Sequence, residues 1–274
     1  MLPADYQTRK VRLVISCHGA GGTVTTNDSQ VEQQTLTKYL VANGYAVMDV
    51  GGLPKEFCLK YGVDAKNNVG CHIAVDCYVK AYEYCINKYN LYKEVFVHGA
   101  SMGGISSTNV VLSGKIPIIA QTGFCPVLDT YNQIFLHPWT GGLPKTALGV
   151  LYNLDKDDNG QYVYDEEKIL GFNPSGKIRR ANDDIEILDY PVAIKFWLSL
   201  DDPIVNPNCT ARFVNAINNN NGSAELVIFP SGGHEPHCFG EDVLSPIGNV
   251  IFNGEKLSIT PATEGVFEFI KKYE

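Results

Sequence analysis

The segment at residues 95–104 reads VFVHGASMGG. Its apolar start is typical of a short buried strand, and the residues that follow it, through Val111, have the pattern of a helix that ends at Gly114. The motif G-x-S-x-G stands between the two, with Ser101 at its centre. This spacing is typical of a serine on a tight, strained turn, where the flanking glycines let neighbouring backbone approach closely. The segment therefore predicts Ser101 as a nucleophile at the end of a strand.

Strand-like and helix-like segments alternate on both sides of this motif. The predicted strands are Val11–Ser16, Tyr45–Val50, Glu94–His98, Ile116–Gln121, Val192–Leu200 and Leu226–Phe229. The predicted helices, besides the one after the motif, are Gln30–Asn43, Ile73–Lys88, Asn206–Asn218 and Thr263–Lys272. Short apolar strands that alternate with helices indicate a parallel sheet covered on both faces. We expect an α/β fold with a mostly parallel sheet of about six strands.

The interval 124–190 interrupts this alternation. It is far longer than the usual connection of about 2–6 residues in α/β units. It contains Trp139 and an acidic stretch, and we interpret it as a cap inserted over the sheet. A chain of 274 residues can form one large domain. We therefore expect a single domain over residues 1–274, with the cap at about 124–190.

The composition disfavours some classes of binding partner, and it says less about the cellular compartment. Lys plus Arg is 22 and Asp plus Glu is 30, for a net charge of −8, with no basic run, which disfavours nucleic-acid and anionic-membrane binding. No apolar run reaches the roughly 18 residues of a spanning helix, and no signal peptide is visible. We expect the cytoplasm by default. If the chain is a piece of a longer polypeptide, secretion or a place in a larger assembly is the alternative.

The eight cysteines leave the redox state undecided. No C-x-x-C pair occurs, which disfavours zinc ribbons and thioredoxin-like motifs. Cys17 and Cys125 end strand-like segments, so we interpret them as small buried apolar residues.

A serine nucleophile needs a base, and the base needs a carboxylate that orients it. When the serine stands between a strand and a helix in this way, the acid and then the base follow it along the chain. Of the six histidines, His234 and His237 lie late enough. We favour His234, because it follows a Gly-Gly turn directly after the last predicted strand.

Two candidate acids, Asp201 and Asp202, follow the strand that ends at Leu200. Pro203 restricts the preceding residue to an extended backbone and so fixes the direction of its side chain, which favours Asp202. In the alternative interpretation both aspartates are N-terminal caps of the next helix, and we expect one of the pair to be a cap.

A glycine-rich loop, HGAGG at residues 18–22, follows the first predicted strand. Such a loop can aim backbone N–H groups at a developing negative charge. The amides of Ala20 and Gly21, with that of Met102, are the predicted oxyanion hole. We interpret His18 as an anchor of the loop rather than a catalytic residue.

Together these motifs carry a family resemblance. They are HGAGG at 18–22, GASMGG at 99–104, DDPIV at 201–205 and GGH at 232–234. The set resembles the α/β-hydrolase superfamily, and most of all its prolyl-oligopeptidase-like and dienelactone-hydrolase-like esterases, over about residues 11–240. The resemblance implies an α/β-hydrolase fold with Ser101 as nucleophile, His234 as base and Asp202 as acid. It matches the oxyanion hole to the amides of Ala20 or Gly21 and of Met102.

The resemblance implies a serine esterase that works through an acyl-enzyme and requires no cofactor. Aromatic residues in the interval 124–190, Tyr131, Trp139 and Tyr152, suit sugar rings or aromatic acyl groups. We favour a short acyl ester, such as acetyl or feruloyl, of a carbohydrate or another small molecule. Two alternatives stay open: a serine peptidase of the prolyl-oligopeptidase type, and a catalytically silent binding module in a larger assembly.

A second motif lies inside the interval 124–190. Residues 155–166 fit the calcium-loop template D-x-[DN]-x-[DN]-G-x5-E. The predicted oxygen ligands are Asp155, Asp157, Asn159 and Glu166, with a turn at Gly160. The alternative interpretation is an acidic polar turn without a metal.

Overall fold

A parallel sheet runs through the centre of the fold, as the alternating strands and helices predicted. The computed structural model describes residues 1–22, 24, 30–136, 145–169, 178–181, 184–187, 189–234 and 248–274. The described strands are β1 Leu13–Cys17, β2 Ala46–Met48, β3 Val95–Ala100, β4 Ile118–Phe124, β5 Ile178–Ala181, β6 Asp184–Ile187, β7 Ala193–Ser199, β8 Ala224–Phe229, β9 Gly248–Phe252 and β10 Glu255–Ile259. The main sheet has six strands in the order β2-β1-β3-β4-β7-β8, and every pair is parallel.

The predicted helices are present with small shifts at their ends, and three short helices, Lys55–Tyr61, Lys145–Leu151 and Glu166–Ile169, were not predicted. The described helices are α1 Gln30–Gln33, α2 Thr35–Ala42, α3 Lys55–Tyr61, α4 His72–Lys88, α5 Gly103–Ser113, α6 Lys145–Leu151, α7 Glu166–Ile169, α8 Pro207–Asn219 and α9 Pro261–Lys271. A 3₁₀-helix spans Ala65–Asn67, and a π-helix spans Tyr131–Leu136. In the described part of the chain, none of the helices has the length and apolar character needed to cross a membrane.

Neighbouring side chains of a strand enter opposite apolar cores. On β3, Val95 and Val97 pack into one core and Phe96 into the other. The first core also holds side chains of α4, α5 and α8, and the second holds side chains of α2 and α9. Because successive residues of a strand point to opposite faces, continuous apolar strands are buried on both sides. The sheet is therefore covered on both faces, as predicted.

Several features differ from the sequence-based expectation. The helix predicted over Gln30–Asn43 is two helices, α1 and α2, separated at Gln34. The antiparallel hairpins β5–β6 and β9–β10 were not predicted. The second hairpin turns at Asn253-Gly254, both with positive φ, and packs Leu257 and Ile259 against Tyr39 of α2. Asn-Gly between apolar residues is a strong hairpin signal, so the sequence did contain the information.

The described parts of the interval 124–190 pack in two places: the π-helix and α6 lie beside the serine turn, and β6 packs against α8. Leu148 and Leu151 of α6, with Ile134 of the π-helix, share an apolar cluster with Met102. Trp139 lies outside the described residues. The interpretation of this interval as a cap stays a prediction.

Candidate active site

Ser101 lies on a strained turn between β3 and α5. Its φ is 54°, in the left-handed region that residues with a Cβ rarely adopt. The turn is held from the neighbouring strand, because the amide of Ser101 donates to the carbonyl of Phe124 at 2.9 Å and the amide of Val127 donates to the carbonyl of Ser101 at 2.9 Å. The strain and the bonds that hold it match the serine turn expected from G-x-S-x-G.

Backbone crowding requires a residue without a Cβ at both glycine positions of the motif, Gly99 and Gly103. A Cβ on Gly99 would lie 2.3 Å from the carbonyl oxygen of Gly103. A Cβ on Gly103 would lie 1.9 Å from the carbonyl oxygen of Cys17, at the end of β1. Both distances are far below any real contact, so no side chain fits at either position. The turn can sit against β1 only because these two residues have no Cβ.

The structure brings Ser101, His234 and Asp202 into one chain of hydrogen bonds. The Nε2 of His234 lies 2.9 Å from the Oγ of Ser101, and its Nδ1 lies 2.8 Å from the Oδ2 of Asp202. An ionised carboxylate only accepts hydrogen bonds, so Nδ1 carries the proton and Nε2 is free to accept from the serine hydroxyl. The alternative base, His237, lies outside the described residues.

Backbone amides hold the second carboxylate oxygen of Asp202, Oδ1, in place. Its Oδ1 accepts the amides of Ile204 at 2.8 Å and Val205 at 2.9 Å, and its side chain is 1% exposed. Backbone donors compensate a buried carboxylate for the water it has lost, and they fix its orientation. The carboxylate therefore faces His234 without needing to move.

Asp201 has a separate position. Its Oδ1 accepts the amide of Gly233 at 2.8 Å and the hydroxyl of Ser199. The hydroxyl of Ser199, and then the Gly233 amide, lower the pKa of Asp201. Asp201 therefore ties the end of β7 to the residue just before His234.

The expectation that one of the two aspartates caps α8 is wrong. The N-cap of α8 is Asn206, whose side chain accepts the amide of Asn208 at 3.0 Å. The Oδ1 of Asp202 accepts backbone amides of the turn before α8, so Asp202 does not cap the helix.

The glycine-rich loop passes close to the serine. A Cβ on Gly19 would lie 3.3 Å from the Cβ of Ser101, so a larger residue would crowd the nucleophile. The amide of Gly21 donates to the carbonyl of Lys66 at 3.1 Å, so this predicted oxyanion donor is used in holding the loop. Among the backbone hydrogen bonds of the described residues, neither Ala20 nor Met102 donates its amide. These two amides remain the candidates for an oxyanion hole.

His18 anchors the loop through a buried polar network, as the sequence suggested. Its Nδ1 lies 2.9 Å from the Oδ2 of Asp49, and the hydroxyl of Tyr78 donates to the other oxygen of Asp49 at 3.0 Å. The Nδ2 of Asn68 lies 3.4 Å from the Nε2 of His18. A Cβ on Gly22 would lie 2.8 Å from the ring of His18, so the loop folds tightly over that ring. No sequence signal pointed to these partners, because they come from distant elements.

The predicted calcium loop forms a tight polar turn. The carboxylate of Asp157 accepts the amides of Asn159 at 2.9 Å and Gln161 at 2.8 Å. Asp155 forms an ion pair with Lys168 at 2.8 Å. Two of the predicted ligands therefore bind groups of the protein itself.

The carboxylates of this loop do not converge. Within the part of the chain that the structure describes, Asp155, Asp157 and Glu166 do not form a close group of ligand atoms. Calcium binding by this loop stays a prediction. Bound Ca²⁺ stabilises the folded state by mass action, so it predicts a higher melting temperature in calcium than in chelator. Identical melting curves would contradict it.

Comparison with known proteins identifies the fold. The chain has the α/β-hydrolase fold. It superposes on Est1E from Butyrivibrio proteoclasticus, solved with ferulic acid bound, with a TM-score of 0.56 and 14% identity over 100% of this chain and 93% of that one. An acetyl ester-xyloside bifunctional hydrolase from Caldicellulosiruptor lactoaceticus gives a TM-score of 0.55 and 15% identity over 86% and 78%.

A third similar structure is a peptidase. A putative dipeptidyl aminopeptidase IV from Bacteroides ovatus gives a TM-score of 0.58 and 15% identity over 100% of this chain and 32% of that one. Several similar structures are longer: this chain spans 60% of one of them and 31–36% of four others. No protein-family model matches the sequence, and no curated protein matches it. At these identities the likeness is one of fold.

Proposed function

We propose that the protein is a serine hydrolase that cleaves carboxylic esters through an acyl-enzyme. The observation that carries the proposal is the hydrogen-bonded chain from Ser101 through His234 to Asp202, with the serine on its strained turn. An alcohol becomes a nucleophile when a neighbouring base can accept its proton, and the Nε2 of His234 is in position to do so.

The reaction follows from these groups. Ser101 attacks the ester carbonyl as His234 takes its proton, and Asp202 stabilises the imidazolium that forms. The amides of Ala20 and Met102 donate to the oxyanion of the tetrahedral intermediate. His234 then gives its proton to the leaving alcohol. Water attacks the acyl-enzyme with the same histidine as base, which frees the acid and restores the serine.

For the substrate, we propose a short acyl ester of a carbohydrate or another small molecule. Two proteins of the same fold carry ester chemistry in their descriptions: one binds ferulic acid, and one is an acetyl ester-xyloside hydrolase. Aromatic side chains of the interval 124–190 agree with this class. Tyr131 and Phe135 both pack against Tyr164, and Phe135 and Tyr164 border the apolar cluster that contains Met102. Aromatic faces suit sugar rings and aromatic acids.

The first experiment tests the nucleophile. Ser101→Ala should lower the turnover of p-nitrophenyl acetate by several orders of magnitude, because the remaining groups supply only part of the rate enhancement. Circular dichroism and denaturant unfolding would show whether the variant keeps its fold. A fluorophosphonate probe should label the wild type at Ser101 and leave the variant unlabelled. Near-full residual activity in a folded variant would overturn the assignment.

A second experiment tests the substrate class. The wild type would be assayed on acetyl and feruloyl esters of sugars and on chromogenic dipeptide amides. Faster cleavage of the esters supports the proposal, and faster cleavage of the amides makes the protein a peptidase. A protein that is labelled by the probe and hydrolyses neither panel has a different acyl substrate. A protein that is not labelled is a silent binding module.

A further inference from the structure

Cys125 lies between the nucleophile and the acid. Strand β4, which ends just before Cys125, lies between β3 and β7 in the sheet. The residue after β4 therefore lies close to the residues that follow β3 and β7. The amide of Cys125 donates to the carbonyl of Trp197 at 2.7 Å, and its φ of 38° is in the left-handed region. The thiol of Cys125 is buried beside the proposed active site.

Three metal-ligating side chains meet at this place. The Sγ of Cys125, a ring nitrogen of His234 and a carboxylate oxygen of Asp202 all lie within 4.8 Å of one another. No other group of three such residues is this close in the described part of the chain. In a tetrahedral zinc site, bond lengths of about 2.0–2.3 Å put the ligand atoms about 3–4 Å apart. Small side-chain rotations would close the present cluster to that spacing.

We propose that Cys125, His234 and Asp202 form a reversible inhibitory site for Zn²⁺ and the related ion Cd²⁺. The inhibition rests on the proposed function of His234 as the base. A thiolate, an imidazole and a carboxylate are the ligands these ions prefer, and they leave a fourth position open to water. The thiolate and the carboxylate also balance the two charges of the ion, which matters because Cys125 and Asp202 are buried.

Metal binding removes the base whichever ring nitrogen it uses. Bound at Nε2, the ion occupies the lone pair that would accept the proton of Ser101. Bound at Nδ1, it forces the ring proton onto Nε2, which then cannot accept another. The thiol proton of Cys125 is released to solvent as the sulfur–metal bond forms. Hard ions such as Mg²⁺ favour oxygen ligands and should not inhibit.

The first test is inhibition. Zn²⁺ and Cd²⁺ should inhibit ester hydrolysis by the wild type, EDTA should restore it, and Mg²⁺ should have no effect. Cys125→Ser should raise the inhibition constant for Zn²⁺ by about tenfold or more. Loss of a group that only hydrogen-bonds to a metal ligand already costs about 10–100-fold in metal affinity, and loss of a ligand should cost at least as much. Each rate is compared with the metal-free rate of the same variant. The matched control is Cys209→Ser, at another buried cysteine, which should keep the wild-type inhibition constant.

The second test does not depend on activity. Ser101→Ala keeps all three proposed ligands, and Cd²⁺ added to it should produce the ultraviolet charge-transfer band of a cadmium thiolate. Other cysteines of the chain can also bind Cd²⁺, so the expected result is that the double variant Ser101→Ala/Cys125→Ser has a smaller band than Ser101→Ala, whereas Ser101→Ala/Cys209→Ser keeps the full band. An unchanged inhibition constant in Cys125→Ser, or a band that does not depend on Cys125, would overturn the metal site. A protein whose band depends on Cys125 and that hydrolyses no ester would retain the site and disprove the proposed function.

Discussion

Asp201 and Asp202 are chemically identical neighbours with different surroundings. Asp202 is buried and binds Nδ1 of His234, whereas Asp201 lies at the surface and binds the amide of Gly233. Pro203 gave the sequence-based reason to favour Asp202, and the hydrogen bonds agree with that choice. No local pattern could show that Asp201 supports the turn before His234, because its partner is 32 positions away.

A pair of amide substitutions separates these two positions. Asp202→Asn should lower kcat/KM by roughly 10³–10⁴-fold, because an amide can hold the ring in the wrong tautomer. Asp201→Asn should cost about tenfold or less, since its carbonyl oxygen can still accept the amide of Gly233. The measurement is ester hydrolysis by both variants, with unfolding curves to confirm that they fold. Equal losses in the two variants would contradict the assignment of Asp202 as the acid.

The glycine-rich loop at residues 18–22 shows a limit of prediction from local sequence. The motif HGAGG identified the loop, and glycine at position 19 is explained by its contact with Ser101. The same motif could not tell which amides stay free. That depends on Lys66, whose carbonyl takes the amide of Gly21 and lies in a different part of the chain.

At the scale of elements, a parallel sheet explains why the candidate residues could be expected in one place. Strands β3, β4, β7 and β8 run in one direction, so the residues after them collect at one edge. Ser101, Cys125, Asp202 and His234 all follow one of these strands. The order of strands in the sheet decides which of them touch. The sequence predicted the strands and not that order, so the position of the Cys125 thiol beside Asp202 and His234 was missed.

Gln133 connects the π-helix to the loop that follows Asp202. Its Nε2 donates to the carbonyl of Ile204 at 3.0 Å, and its Oε1 accepts the amide of Asn206 at 2.8 Å. These bonds lie on either side of Val205, whose own amide binds the carboxylate of Asp202. One buried side chain thus holds the turn that orients the acid, so we interpret Gln133 as a positioning residue.

Gln133→Ala should therefore lower kcat more than it raises KM. A small displacement of a catalytic group costs up to about 100-fold in rate, and we expect a loss of about 10–100-fold. A merely structural role would lower the free energy of unfolding and leave kcat per folded molecule unchanged. Steady-state kinetics on protein shown to be folded would decide between the two. Gln7→Ala, at an exposed position far along the chain, is the matched control.

At the scale of the whole molecule, the buried sheet contains a histidine that the proposed reaction does not use. His98 lies on β3, 3% exposed, with its Nδ1 2.9 Å from the hydroxyl oxygen of Thr122 and its ring against the edge of Phe124. Burial disfavours the charged imidazolium and lowers the pKa of His98 to about 3. The folded protein therefore keeps this ring neutral far below the pH at which a free histidine is protonated.

This difference makes the stability of the fold depend on pH. The pKa of His98 is about 3 in the folded state and about 6.5 in the unfolded chain, so between these values the unfolded chain alone takes up the proton. The contribution of the neutral ring is fully present above pH 6.5. As the pH falls below 6.5, this contribution to the free energy of unfolding decreases by about 1.4 kcal/mol per pH unit.

His98→Gln removes the titration and keeps a polar group facing Thr122. We expect the variant to be less stable than the wild type at pH 7, because its side chain fits the site less well. Its stability should then fall less steeply with acid, so the difference between the two proteins should shrink by about 2 kcal/mol between pH 6.5 and pH 5. All other titrating groups are common to both proteins and cancel in the difference. Urea unfolding at half-unit steps of pH measures this difference in the free energy of unfolding. An equal loss of stability with acid in both proteins would show that His98 is protonated inside the fold.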